Sequence, residues 1–359
     1  MSQHKAELSA FLVKNKVDIL LISETHFTSK SFFKIQNYNL YHTAHPDDKA
    51  HGGSAILVKG SIRHHQEIPF RSNEIQATNI IVEDSSGQLL ISAVYSPPKH
   101  NIKQEYYEKF FKSLGNRFIA GGDYNAKHTQ WGSRLTTSKG RQLLSAAQKL
   151  NLKHVSSGEP TYWPTDMKKV PDLIDFFITK GINSINITCN SSYGLSSDHS
   201  PVVLNLSEEF LQTKMRTYLS SHYTDWQKFK RCVIENINLK IPLKSEADIN
   251  EAVEHFNDCI QQAAWSSTPV PVPKQINSKL SLHVREKIAE KRQARKTWQQ
   301  SRHPKDKSTL NKLSTELKKL IEHETNQKFE KYLSTLDTSA KSDYSLWKAA
   351  KQINASTTA

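Results

Sequence analysis

Cysteine is nearly missing from this chain of 359 residues: the three present, Cys189, Cys232 and Cys259, lie far apart and form no CxxC pair. That spacing argues against a disulfide framework and a zinc finger, and it suits a reducing compartment. Long apolar runs are missing as well. No segment holds the roughly 20 consecutive apolar residues that a bilayer crossing needs. The opening MSQHKAELSAFLVKNK has no long apolar centre of the kind a secretory signal carries. No Gly-rich nucleotide loop and no internal repeat occurs. The expectation is a soluble, intracellular protein. Acidic residues are outnumbered, 35 against 49 Lys and Arg, for a formal net charge of +14. A balance that basic favours a polyanionic partner, nucleic acid first and an anionic membrane surface second.

What is present is a core and a pattern. Hydrophobic residues make up 36% of the chain, enough for one good-sized domain with an appendage. Short apolar runs at 16–23, 52–60, 78–84, 88–95, 117–123, 172–180 and 201–206 are bounded by Gly, Pro, Ser, Asn or Asp, as strands are. Helical patterns intervene at the start and over 104–114 and 140–152. The mix predicts packed sheets with helices outside, over residues 1–206. Residues 207–280 read as a helical and proline-containing linker, with TPVPVPKQ as its extended part. From 281 to 359 strand signals vanish. REKIAEKRQARKTWQQ is a basic helix, Pro304 ends it, and Leu310, Leu313, Leu317, Leu320 and Ile321 share one face of the next, so a helical hairpin is predicted.

Polar residues gather at one kind of place, the downstream end of an apolar run. Glu24 closes DILLISE, Tyr95 closes LLISAVY, and Asp123 closes FIAGGD with Asn125 two residues on; Asp198 and His199 precede the final strand. Each has a bland reading alone. Glu24 starts a turn, Asp123 and Asn125 make an Asx turn, and a lone histidine is more often structural. Asp175, inside DLIDFF, resists that reading, because a buried carboxylate is costly unless paired, and His199 is its natural partner. Trp131 reads as packing, and His128 has no role beyond its loop. Loops at one rim of packed sheets collect functional groups. Glu24 suits Mg²⁺, a hard cation that takes oxygen ligands and shares its shell with phosphate. Asp123 and Asn125 can align an attacking water and a phosphate oxygen. His199, oriented by Asp175, can stabilise the charge that grows during an in-line displacement. The predicted reaction class is metal-assisted hydrolysis of a phosphate ester.

In order and wording the motifs LISETHF, VYSPP, GGDYNAKHTQWGS, PTYWP, DLIDFF and SSDHSP resemble the endonuclease/exonuclease/phosphatase superfamily, and more closely the apurinic-type endonuclease domain of Jockey-like non-LTR retrotransposons. The resemblance covers residues 1–206. It implies a four-layer α/β (α+β) sandwich of two mixed β-sheets flanked by helices, followed here by an α-helical C-terminal extension. It makes Glu24 and Asp198 metal-side residues and Tyr95 a contact of the scissile phosphate. Asp123 aligns or activates water, Asn125 holds the transition state, Asp175 orients His199, and His199 binds a phosphoryl oxygen. Thr161 and Ser197 carry over as substrate contacts. The cofactor implied is Mg²⁺, with Mn²⁺ as the alternative. The implied partners are a DNA target, a reverse transcriptase domain in cis, and element RNA through the basic C-terminal helices, with no membrane and with action in the nucleus. No Asp-Asp pair in an aromatic turn, the mark of the polymerase, occurs. The family also begins with an asparagine-bearing strand, whereas this sequence starts at the following helix. The expectation is therefore a chain truncated at both ends, with weak Mg²⁺ binding. Rival readings are an impaired relic that binds nucleic acid through basic helices, and another phosphoesterase of the same fold.

Overall fold

The computed structural model describes residues 5–166, 168–212, 219–269 and 281–334. The chain divides into two compact units, Met1–Leu211 together with Ile276–Ala359, and Gln212–Gln275. The first unit opens with α1 (Lys5–Lys14), β1 (Ile19–Ser23), β2 (Tyr38–Thr43), β3 (Ser54–Lys59), β4 (His64–Arg71), β5 (Gln76–Asp84) and β6 (Gly87–Tyr95). It continues with α2 (Gln104–Ser113), β7 (Phe118–Asp123), α3 (Ser138–Lys149), β8 (Lys153–Val155), β9 (Asp175–Lys180), β10 (Ile187–Ser191) and β11 (Val202–Leu206).

Six strands form the main sheet in the order β4-β5-β6-β7-β9-β8, with β6 and β7 parallel and the other pairs antiparallel. Strands β6 and β7 are covered on both faces, which is why their sequences run apolar without alternation. On one face Tyr107, Phe110 and Phe111 of α2 and Leu143 and Ala146 of α3 pack against Phe118, Phe176 and Ile178. On the other, Ile80, Val82, Leu89, Ile91 and Ile119 meet Ile56 and Val58 of β3. Leu8 and Leu12 of α1 then cover Ala55 and Leu57 on the far side of β3. The expected four layers are present. The second sheet layer differs from the expectation: it consists of two antiparallel ladders, β1-β3-β2 and β10-β11. Among the described residues β1 is paired along one edge only, and all five of its residues are partly exposed. Ile19 and Leu21 of β1 and Leu204 and Leu206 of β11 still pack on the same core.

The chain returns to this unit as α6 (Leu282–Ser301) and α7 (Pro304–Ser334), the hairpin that the leucine spacing predicts. Arg302 ends α6 in the left-handed conformation, just before Pro304. Val284 and Ile288 of α6 pack with Leu317, Leu320 and Ile321 of α7 and with Ala10 of α1. Helices α6 and α7 are therefore built into the first unit. The second unit holds α4 (Trp226–Asn236) and α5 (Glu246–Ser267). A reciprocal Ser245–Asp248 capping box starts α5. Most of the proline-punctuated stretch and the SLWKAAK segment lie outside the described residues.

Candidate active site

Tyr95, Asp123 and Asp175 are direct cross-strand partners on β6, β7 and β9, so three neighbouring strands place a phenol and two carboxylates in one row. Asp175 sits at the start of its strand, but β9 runs antiparallel to β7, which brings it to the rim where Tyr95 and Asp123 end theirs.

Two glycines make the approach of the second sheet layer possible. A Cβ on Gly122 (φ +149°) would stand 2.0 Å from the Val94 carbonyl oxygen, and one on Gly121 would stand 2.3 Å from the Phe177 ring. With neither side chain present, Ser23 at the end of β1 reaches across. Its hydroxyl donates to Val94 O at 2.7 Å and accepts from the Asp123 N–H at 3.0 Å. The next residue, Glu24, takes a left-handed conformation (φ +54°), and its half-exposed carboxylate lies 3.5 Å from His26 Nε2. Burial, then the charges of Glu24 and Asp123, raise the Tyr95 hydroxyl above the usual phenol range.

Asp123 is buried. Burial, reinforced by the Asp175 carboxylate, pushes it well above the usual carboxylate range, against the pull of His199 and Lys139. Asn125, also left-handed (φ +46°), donates from its N–H to Asp123 Oδ1 at 2.8 Å and from Nδ2 to Oδ2 at 2.6 Å. The loop after it is fixed from below. Trp131 stacks on Phe176 with centroids 4.8 Å apart and donates from Nε1 to Ala126 O at 3.0 Å.

His199 Nδ1 is 2.7 Å from Asp175 Oδ2. Burial opposes the charged imidazolium, but the Asp175 hydrogen bond and charge, with Asp123 and Asp198, outweigh it and leave His199 raised to about 9. Thr161, expected as a substrate contact, is fully buried. Its Oγ1 accepts the N–H groups of Ile174 and Asp175 at 3.1 and 3.0 Å, so it stands behind Asp175. Asp198 and Ser197 are exposed, and Ser197 Oγ accepts the His199 N–H at 3.1 Å in a local turn. The ligand atoms of Asp123, Asp175 and His199 lie within 4.8 Å of one another; Glu24 and Asp198 stand outside that set.

Two supports went unread in the sequence. Lys139 on α3 is buried, donates to Ser96 O and Pro97 O at 3.2 and 2.8 Å, and so fixes the loop after Tyr95. Burial lowers its pKa to about 8, with Asp123 opposing. The other support is α6, whose basic residues had been expected to face nucleic acid. Arg295 donates to the carbonyls of Ser197 and, at 3.2 Å, His199; Arg292 donates to Gly194 O at 3.3 Å. Lys291 binds Ser196 Oγ and both Glu7 carboxylate oxygens, the latter at 3.3 Å. Lys291 and Arg295 are buried. The helix thus holds the Gly194–Ser200 loop that carries His199. The signal was available: Val284, Ile288, Lys291, Arg295 and Trp298 recur at helical spacing, with the two cations inside an apolar stripe.

A family model described as Endonuclease-reverse transcriptase matches residues 89–203. The RNA-directed DNA polymerase from mobile element jockey of Drosophila funebris is 28% identical over 356 residues, covering 98% of this chain and 39% of the relative. The probable RNA-directed DNA polymerase from transposon BS of Drosophila melanogaster is 29% identical over 357 residues, with 98% and 39% covered. The chain thus spans 39% of the length of these curated relatives. Among solved structures, the endonuclease domain of TRAS1, a telomere-specific non-LTR retrotransposon, aligns with 21% identity and a TM-score of 0.49, over 57% of this chain and 93% of that one. In its four layers, its rim of acids and the match over residues 89–203, the chain is similar to phosphoesterase-fold proteins of the endonuclease/exonuclease/phosphatase superfamily. Within that class, the chain is similar over 98% of its length to the RNA-directed DNA polymerases of jockey-type mobile elements.

Proposed function

We propose that this domain is a divalent-metal-dependent DNA endonuclease that hydrolyses a phosphodiester and leaves a 3′-hydroxyl to prime reverse transcription. The observation that carries the reading is the row of Tyr95, Asp123 and Asp175, closed by His199 at 2.7 Å from Asp175, with Glu24 beside Tyr95. Glu24 offers an open, acceptor-only carboxylate, and Asp123 and Asp175 crowd negative charge nearby; such a donor set fits a hard cation, Mg²⁺ or Mn²⁺. When bound there, the ion supplies charge neutralisation at the phosphate. Asp123, held above its usual range, is suited to take a proton from the attacking water. Asn125 presents its amide to a non-bridging oxygen. His199, kept charged and oriented by Asp175, donates from its other ring nitrogen to the oxygen where charge accumulates.

The setting follows from the relatives, which are described as RNA-directed DNA polymerases. A reverse transcriptase in cis, a chromosomal DNA target and nuclear action belong to this proposal. Exposed Arg285, Lys305 and Lys312 remain for element RNA, because the inward residues of α6 are engaged with the His199 loop. The second reading, an impaired enzyme, rests on the unpaired edge of β1, the strand that leads into Glu24. Nicking of supercoiled plasmid with and without Mg²⁺ tests both readings, with extension of the nick by a polymerase to report the 3′-hydroxyl. Asp123→Ala should abolish nicking. Activity that survives this change, or that turns to inositol phosphates in preference to DNA, would sink the first reading.

A further inference from the structure

A second cluster of ligand-type side chains, made of other residues than the row, lies in the loop between β2 and β3, where the sequence reads AHPDDKAHGG. His45, Asp47 and His51 each bring a donor atom to within 4.8 Å of the other two. His45 Nδ1 is 2.7 Å from Asp47 Oδ1, and His51 Nε2 is 3.0 and 2.9 Å from the two oxygens of Asp47. We propose that His45, Asp47 and His51 form a binding site for a divalent transition-metal ion of the Zn²⁺ kind.

The distances support this directly. Zn²⁺ binds imidazole nitrogen and carboxylate oxygen at roughly 2.0–2.2 Å in tetrahedral geometry, which sets ligand atoms roughly 3.3 Å apart. The two nitrogens lie 2.7–3.0 Å from the carboxylate oxygens, and all three donor atoms lie within 4.8 Å of one another, so small side-chain rotations reach that spacing. Without a cation, both ring nitrogens crowd one carboxylate that already accepts the Lys49 N–H at 3.0 Å, while His45 Nδ1 also stands 3.4 Å from the Asp47 N–H as its acceptor. One ion in the centre would take the lone pairs of both rings and leave the Lys49 backbone bond in place. Two imidazoles with one carboxylate also favour Zn²⁺ over Mg²⁺, which prefers oxygen alone. Access fits as well. His45 is buried, whereas the side chains of Asp47 and His51 are 38% and 46% exposed, so the site has a packed floor and an open side for water as a fourth ligand.

The loop is held in this shape independently of the three side chains. Arg71 donates from Nε to Ala44 O at 3.1 Å and from Nη2 to His45 O at 2.8 Å. Asp48 accepts from the Ser29 N–H and hydroxyl at 2.7 and 2.6 Å. Beyond His51, the carbonyls of Gly52 and Gly53 accept from the N–H groups of His26 and Thr25, next to Glu24. An ion in the loop would therefore brace the segment that follows β1 while taking no part in chemistry there.

The test is Co²⁺ and Zn²⁺ binding to the full chain, with excess Mg²⁺ present. Tetrahedral Co²⁺ gives an intense visible absorption, so the wild type should titrate to one equivalent with such a band, and Zn²⁺ should bleach it and raise the Tm. Asp47→Asn keeps an acceptor for the Lys49 N–H, and His51→Ala changes a half-exposed ring, so both should fold by circular dichroism and bind at least ~100-fold more weakly. Asp123→Asn, at the other cluster, should bind as the wild type does. Absence of the band, or its loss in Asp123→Asn with retention in His51→Ala, overturns the proposal. The readout is metal binding, so it stands apart from whether the domain cuts DNA.

Discussion

Replacing Arg295 by alanine tests whether a helix beyond the matched family segment belongs to the active site. Arg295 is 5% exposed, and its guanidinium donates to the carbonyls of Ser197 and His199. Burial lowers its pKa to about 10, with Glu7 and Asp198 opposing, so the group is charged at neutral pH. A hydrogen bond from a charged donor is worth about 1.5–3 kcal/mol. Two carbonyls that lose such a donor in a buried place make a combined cost of roughly 3–5 kcal/mol. Only about 1.4 kcal/mol of that, expressed as a lost orientation of His199, lowers kcat tenfold. Arg295→Ala should therefore reduce Mg²⁺-dependent nicking ~10-fold or more in kcat, with KM little changed because the side chain faces the protein. Arg295→Lys, which keeps one charged donor, should recover part of the rate. A ring-proton NMR titration should show His199 falling from about 9 toward the ordinary 6.5 as its grip on Asp175 loosens. Wild-type kcat and an unmoved His199 titration in a variant whose Tm alone drops would leave Arg295 with a structural role only and refute the reasoning.

Asp175→Asn should lower the nicking rate on the order of ~10²-fold and return His199 to a near-neutral titration, read by NMR. In the wild type His199 goes from 6.5 to about 9 on folding, equivalent to about 3 kcal/mol. Because the folded value is the higher one, this stabilisation is complete below about pH 6.5 and is lost as pH rises through about 9. A stability profile flat across that window in the wild type would contradict the pairing. Gly122→Ala should cost more than about 3 kcal/mol in urea melts, since a Cβ there meets a backbone oxygen at 2.0 Å. Gly87→Ala, also at positive φ but with nothing within 4 Å, should cost much less. Equal losses at the two positions would show that the contact with Val94 is not what requires glycine.

The strands most directly legible in the sequence include those buried on both faces. Runs such as QLLISAVY and FIAGGD announce strands because their apolar residues are uninterrupted, and each ends at a residue of the Tyr95–Asp123–Asp175 row. Four strands gave no such signal. β4 reads HHQEIPFR, an edge strand with mostly exposed side chains and a proline. β2, β8 and β10 are likewise edge strands, short or half polar, held by pairing to a neighbour more than by their own composition. At the site, residue types and order pointed to one rim, yet nothing local shows that Thr161 looks inward to the Asp175 backbone. The inward cations of α6 were hidden for a different reason. Lys and Arg are so commonly solvated that a basic helix reads as a surface, and only contact with a loop about a hundred positions away reveals their use.

The contact between Arg295 and His199 spans 96 positions of sequence. At a synthesis rate of about 5–20 residues per second, roughly 5–20 s separate the emergence of the histidine from that of the residue that holds its loop. Between them the ribosome makes the whole of the second unit. A nascent chain that has already exposed Tyr95, Asp123, Asp175 and His199 therefore still lacks Arg295, and the His199 loop gains its brace only after α6 has left the exit tunnel. Translation itself thus sets the order in which this rim is first assembled and then braced.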